Sequence, residues 1–168
     1  MSKILLSANH IVHYFGERKI LDFEKLTVYE GDHIGIVGTN GAGKTTLLNI
    51  LSGDLIPEEG SVIRTVPVRY FRQFRDKTEN PDPQSCRKLG LAGNLSHEHL
   101  SGGERTRLGL AALGKDPALI FADEPTANLD AEGVAICCRM LEQCSTLLLI
   151  SHDRAVLDRL CTRIIEVK

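Results

Sequence analysis

Long apolar runs are missing from this 168-residue sequence. No stretch approaches the roughly 20 residues that a helix needs to cross a bilayer. Its first residues, with Lys3 followed only by Ile4-Leu5-Leu6, are too brief for a signal sequence. Neither sign of charge prevails, since 20 basic and 22 acidic side chains leave a net charge of −2. That balance removes both a chain-wide basic field for nucleic acid and an acidic field mimicking a polyanion. The five cysteines, Cys86, Cys137, Cys138, Cys144 and Cys161, form no CxxC pair, and an odd number with two adjacent is a poor disulfide framework. We therefore expect a cytoplasmic protein that does not insert into a membrane. Repeats and low-complexity tracts are lacking, and 42% hydrophobic residues with 15 glycines match a globular chain, which excludes disorder, collagen and coiled coil. The length suits a single domain over residues 1–168.

Against these absences stands a pattern of strands and helices. Residues 4–13 and 20–29 predict strands around a Gly16-Glu17-Arg18 turn. Ile34-Gly35-Ile36-Val37 is a short apolar run suited to a buried parallel strand. A helix over Thr45–Ser52 comes next, with Leu47, Leu48 and Leu51 on one face and Gly53 as its stop. Residues 61–66 and 68–71 predict a hairpin-like pair of strands interrupted at Pro67. The polar, proline-bearing stretch 77–85 reads as an exposed loop leading into a weakly patterned segment up to His99. Further on, the pattern predicts a helix over 102–113, a buried strand over 118–122, a helix over 131–144, a buried strand over 146–150, a helix over 153–160 and a closing strand over 163–167. Val134, Cys137, Cys138 and Leu141 make the apolar stripe of a helix laid on a sheet, which assigns the vicinal cysteines to packing. His97-x-His99 lacks the further ligands that a zinc site wants.

The chemistry is concentrated in a few places. Gly38-Thr39-Asn40-Gly41-Ala42-Gly43-Lys44-Thr45 satisfies GxxxxGK[ST] between a buried strand and a helix start, with Thr46 next in the helix. Glycines let successive amides curl around a phosphate chain, the helix N-terminus adds partial positive charge, and Lys44 neutralises the β and γ phosphates. Thr45 is the expected Mg²⁺ ligand through its hydroxyl. Asp123, at the end of a buried strand, is the carboxylate expected to organise that metal, and Glu124 beside it is placed to activate water. Ser101-Gly102-Gly103-Glu104 has the spacing of a capping box, while a serine hydroxyl with two glycine amides at a helix start also makes a second phosphate receptor.

LSGGE at residues 100–104, between a P-loop and an Asp-Glu strand, resembles the signature of the ATP-binding-cassette (ABC) ATPases. The resemblance implies a P-loop NTPase fold of ABC type: α/β, with a mainly parallel core sheet, an N-terminal antiparallel β-subdomain and a reduced helical subdomain over about 74–115. It also implies ATP and Mg²⁺ as cofactors and further site residues. Gln73 matches the Q-loop glutamine that senses magnesium and the attacking water. Asp130, in Asn128-Leu129-Asp130, matches the D-loop and is also a plausible helix N-cap. His152 matches the switch histidine that contacts the γ-phosphate. Phe15 or Tyr14, before Gly16, matches the ring that stacks on adenine, with core packing as the competing role and Phe15 the better fit. Because Ser101, Gly102 and Gly103 cannot reach the P-loop of their own domain, the resemblance implies that two cassettes close over two nucleotides.

SGGERTRL, ADEPTANLD and SHDRAVLD resemble the spellings of the ABC-F subfamily, soluble two-cassette proteins that act on ribosomes, and above all its antibiotic-resistance type. The short segment between Gln73 and Ser101 disfavours a transporter partner. This resemblance implies an excised N-terminal cassette of a longer protein, or an incomplete gene, with a second cassette, in the same polypeptide or as a homodimer, and the ribosome with its RNA as partners. A locally basic window from Arg64 to Lys88 is a candidate RNA contact, or a charged solvated face. The competing functions are the ATPase subunit of a membrane transporter and a nucleotide-dependent assembly module with negligible turnover.

Overall fold

The structure, a computed structural model, describes residues 2–72 and 119–168. The chain runs through β1 (Ile4–Phe15), β2 (Arg18–Tyr29), β3 (His33–Val37), α1 (Lys44–Ser52), β4 (Glu59–Arg64) and β5 (Val68–Arg72). It continues through β6 (Leu119–Asp123), α2 (Ala131–Leu141), β7 (Leu147–Ile150), α3 (Arg154–Leu160) and β8 (Arg163–Glu166). Two sheets result: an antiparallel one in the order β2-β1-β4, and a parallel one in the order β5-β6-β7-β3-β8. The α/β class with a parallel core sheet and an N-terminal antiparallel layer is as the family resemblance implies. The expected helix over 102–113 and the segment 74–115 lie outside the described residues.

β6 and β7 carry apolar side chains at every position but Asp123, because both faces of the parallel sheet are covered. Leu119, Phe121, Leu148 and Ile150 face a core shared with α1 and the antiparallel sheet. Ile120, Ala122, Leu147 and Leu149 face a second core with α2 and α3, in which Cys137 and Cys138 are buried. Burial pushes the Cys137 thiol up to about 12 and those of Cys144 and Cys161 to about 11, so these sulfurs stay protonated at neutral pH. Packing is their role, as the helical stripe predicts. His33 begins β3 with one ring nitrogen 2.9 Å from Leu160 O and the other 2.9 Å from Cys144 O, which ties the strand to the ends of the segments carrying α2 and α3.

One expectation fails. The segments on either side of Pro67 do not pair with each other: β4 joins β1, whereas β5 lies parallel to β6 in the other sheet. Only Thr65-Val66-Pro67 separates them, two β-branched residues and a proline, with no residue suited to the positive φ that tight hairpins use. Thr65 donates its amide to Leu5 O at 3.0 Å, extending the contact with β1, and the chain then crosses to the second sheet. A smaller difference concerns α2, which ends at Leu141 rather than at Cys144. Its last turn tightens, with Gln143 N donating to Met140 O and Cys144 N to Leu141 O.

Arg64, counted above in the basic window, reaches back to the end of α1 and donates to Ile50 O at 3.3 Å and Leu51 O at 3.0 Å. A cation at a helix C-terminus satisfies carbonyls that the helix leaves open and opposes the negative end of its dipole. This guanidinium therefore serves the fold.

Phe121 is fully buried and meets Tyr70 edge to face, with ring centroids 6.0 Å apart and planes at 77°. Phe121→Ala should lower stability by about 3–5 kcal/mol, read as an earlier midpoint in urea unfolding. An unchanged midpoint would contradict the packing described here.

Candidate functional site

The site is built where β3 stops and α1 starts. Two glycines are required there by space as well as by handedness. A Cβ at Gly38 would lie 2.3 Å from Val167 O, and one at Gly43, where φ is 90°, would lie 2.8 Å from Ile20 O. The loop is thus pressed between the segment after β8 and strand β2. Gly43 is the N-cap of α1 and offers no side chain to its first turn, which also holds no acidic residue. The helix itself therefore supplies no anion to its own positive end.

Lys44 is buried, and its Nζ donates to Gly38 O at 2.8 Å and Thr39 O at 3.0 Å. An ammonium has three donors; two of them brace the loop. Thr45 Oγ1 donates to Asp123 Oδ2 at 2.8 Å, joining the first turn of α1 to the end of β6. The Tyr70 hydroxyl donates to the same oxygen at 3.4 Å.

Glu124 comes next in left-handed backbone, with φ at 48°, and its amide donates to Ile150 O at 2.9 Å. For a residue with a Cβ that conformation is costly, and it aims the side chain off the line of the strand. Glu124 Oε1 is buried without a hydrogen-bond partner among the described residues, and His152 Nε2 stands 3.4 Å away. Burial raises the Glu124 pKa above the ordinary carboxylate range, against the opposing pull of His152.

These groups open onto one cleft of about 530 Å³, lined by Asn40, Gly41, Gly43, Lys44, Thr45, Thr46, Asp123, Glu124, Ile150 and His152, with Arg18 and Ile20 of β2 on its wall. Its donor set suits a magnesium nucleotide. A hydroxyl and a carboxylate meet at 2.8 Å as hard oxygen ligands, a lysine and an uncapped helix start supply positive charge, and a second carboxylate, Glu124, has an oxygen with no hydrogen-bond partner among the described residues.

Comparison with known proteins agrees. The family model described as ABC transporter matches residues 21–84. The erythromycin resistance ATP-binding protein MsrA of Staphylococcus epidermidis is 30% identical over all of this chain, and the ribosome protection protein VmlR of Bacillus subtilis is 31% identical over 96% of it. The solved structure titled RNase-L Inhibitor superposes with a TM-score of 0.84 at 27% identity over 99% of the chain. The chain belongs to the ABC ATPase family. This cassette spans about a third of the curated relatives it matches, 36% of MsrA and 31% of VmlR, and 37% of the RNase-L Inhibitor chain.

Within the cassette, the structure gathers Lys44, Thr45, Thr46, Asp123, Glu124 and His152 around the cleft, together with Asn40, Gly41 and Gly43. Gly38, Thr39 and Ala42 belong to the same loop but support it from behind, through the carbonyls bound by Lys44 and the Ala42 N to Thr39 O bond of 3.2 Å. Asp130 does not line the cleft. It is the N-cap of α2, accepting from Gly133 N at 2.8 Å, as the capping reading of the sequence expects. Phe15 is 81% exposed, which removes core packing as its role, while Tyr14 is 39% exposed and donates its amide to Glu58 Oε2. Neither ring lines the cleft. Gln73, Ser101, Gly102 and Gly103 lie outside the described residues. No motif marks Arg18 or Ile20. Their signal is two-residue spacing on the strand beyond the aromatic turn, visible only once that strand is known to pack against the P-loop.

The partial burial of Glu124 gives a sign to pH dependence. A carboxyl whose folded pKa is raised favours folding when protonated; this contribution is present below its unfolded pKa and is lost as pH rises through the folded value. Glu124→Gln removes the charge. The variant should melt above the parent at neutral pH, and the gap should close on acidification below the ordinary carboxylate range. Equal melting temperatures at neutral pH would contradict a carboxyl whose pKa is raised by partial burial.

Proposed function

We propose that this cassette binds and hydrolyses ATP as half of a clamp of the ABC-F type, closing with a second cassette to act on the ribosome. The observation that carries the chemistry is the convergence of Lys44, the Thr45–Asp123 pair and the Glu124–His152 pair on one cleft. The branch rests on relatives named for erythromycin resistance, ribosome protection and, at 32% identity, energy-dependent translational throttling.

On this reading each residue has a role. The amides of the loop and of the first turn of α1 bind phosphate oxygens, and the third donor of Lys44 joins them. Thr45 and Asp123, with Gln73, would hold Mg²⁺, which would supply charge neutralisation of the phosphates. Glu124 accepts a proton from the attacking water, a task that its raised pKa improves, since a base acts best when its pKa lies nearer the working pH. His152 steadies Glu124 and meets the γ-phosphate. Ser101, Gly102 and Gly103 of a second cassette roof the nucleotide, and Phe15 supplies the ring beneath adenine. ATP favours the closed pair through contacts absent from the open one, and loss of the γ-phosphate removes them.

Glu124→Gln in the paired protein should reduce phosphate release by about 10²- to 10⁴-fold and leave nucleotide affinity largely intact. The same variant should co-sediment with ribosomes in ATP and not in ADP. Recovery with a membrane permease instead would favour the transporter function, and undetectable phosphate release by the unaltered pair would favour the assembly module.

A further inference from the structure

The side chain of Arg18 is exposed on the wall of the cleft, and no hydrogen bond or ion pair engages it among the described residues. Its neighbour Lys19, absent from the cleft lining, is occupied by Asp22 at 2.6 Å. The other strong cation of the cleft, Lys44, spends two donors on its own loop. Among the described residues, Arg18 is therefore the one guanidinium lining the cleft, and it is uncommitted.

Its height on the wall is set by β2. Ile20 packs its backbone against Gly43, close enough that a Cβ there would lie 2.8 Å from Ile20 O. Residues two apart on a strand share a face and are separated by about 7 Å, so Arg18 stands one such step beyond the P-loop contact. It also pairs across the hairpin with Phe15, the exposed ring at the far end. A nucleotide lying from Lys44 toward that ring passes Arg18 after its terminal phosphates. The planar fork of a guanidinium matches carboxylate and phosphate oxygens alike, and the carboxylates that line the cleft, Asp123 and Glu124, are engaged by Thr45 and His152 and not by Arg18.

We propose that Arg18 is a nucleotide-binding residue that grips the α-phosphate, the phosphate flanking the ribose, and so contributes equally to ADP and ATP affinity. The proposal rests on the nucleotide-binding function above. Contact with the α-phosphate from β2 ties the antiparallel sheet to the P-loop through the ligand.

The test is calorimetric titration of the 168-residue chain and its Arg18→Ala, Arg18→Gln and Arg18→Lys variants with MgATP, MgADP and adenosine. Arg18→Ala and Arg18→Gln should weaken MgATP and MgADP alike by about tenfold, with Arg18→Lys recovering part of the loss and adenosine binding unaffected. The salt dependence of MgADP binding should also flatten in Arg18→Ala and Arg18→Gln. Thermal unfolding of each variant at the parent temperature verifies that the exposed site carries the effect. Unchanged MgADP affinity in Arg18→Ala, or a loss confined to MgATP, overturns the α-phosphate contact while leaving nucleotide binding intact. Failure of the unaltered chain to bind either nucleotide overturns the underlying function instead.

Discussion

The hydrogen bond from Thr45 to Asp123 joins residues 78 positions apart in the sequence, and the site exists because the sheet brings them together. β3 and β6 are not neighbours; β7 lies between them. Their carboxyl ends nevertheless share one rim, as parallel strands require, and ligands of such sheets bind at that rim. Each strand contributes through its carboxyl end: β3 leads into the loop and α1, β6 ends in Asp123 and Glu124, and β7 delivers His152. Five parallel strands thus convert distant positions into one cleft, and the two apolar cores that hold the sheet between its layers keep those ends in register.

The loop itself is held by its own chemistry. Lys44 binds two carbonyls that a reversing backbone would otherwise leave turned inward without donors, so the cradle is braced before any ligand arrives. Preorganisation of this kind keeps the first-turn amides of α1 aimed at the cleft and reduces the ordering cost of binding. Glu124 illustrates the opposite tendency. Its left-handed backbone and partly buried carboxyl lower the stability of the cassette, and both are found on the wall of the cleft.

Much of this was legible in the sequence because the signals are local. The P-loop spelling, the apolar strand preceding it and the leucines after it are contiguous, and Asp130 announces its helix through ordinary capping chemistry. The strands of the parallel sheet are recognisable by their unbroken apolar character. What escaped was decided by partners remote in sequence. β4 and β5 look alike as short strands around Pro67, and only pairing with β1 and with β6 sends them to separate sheets. Arg64 looks like one of several basic residues, yet the end of α1 claims it. Arg18 looks like a hairpin residue, and the approach of β2 to Gly43 is what places it on the cleft.

Strand β8 lies beside β3, and Val167 just after it packs on Gly38. During vectorial synthesis the glycine cradle emerges well before the backbone it leans on, which is translated more than a hundred residues later. At about 5–20 residues per second, the nascent cradle waits several seconds for its last buttress. The packing around Gly38 is in this way complete only once translation has passed β8.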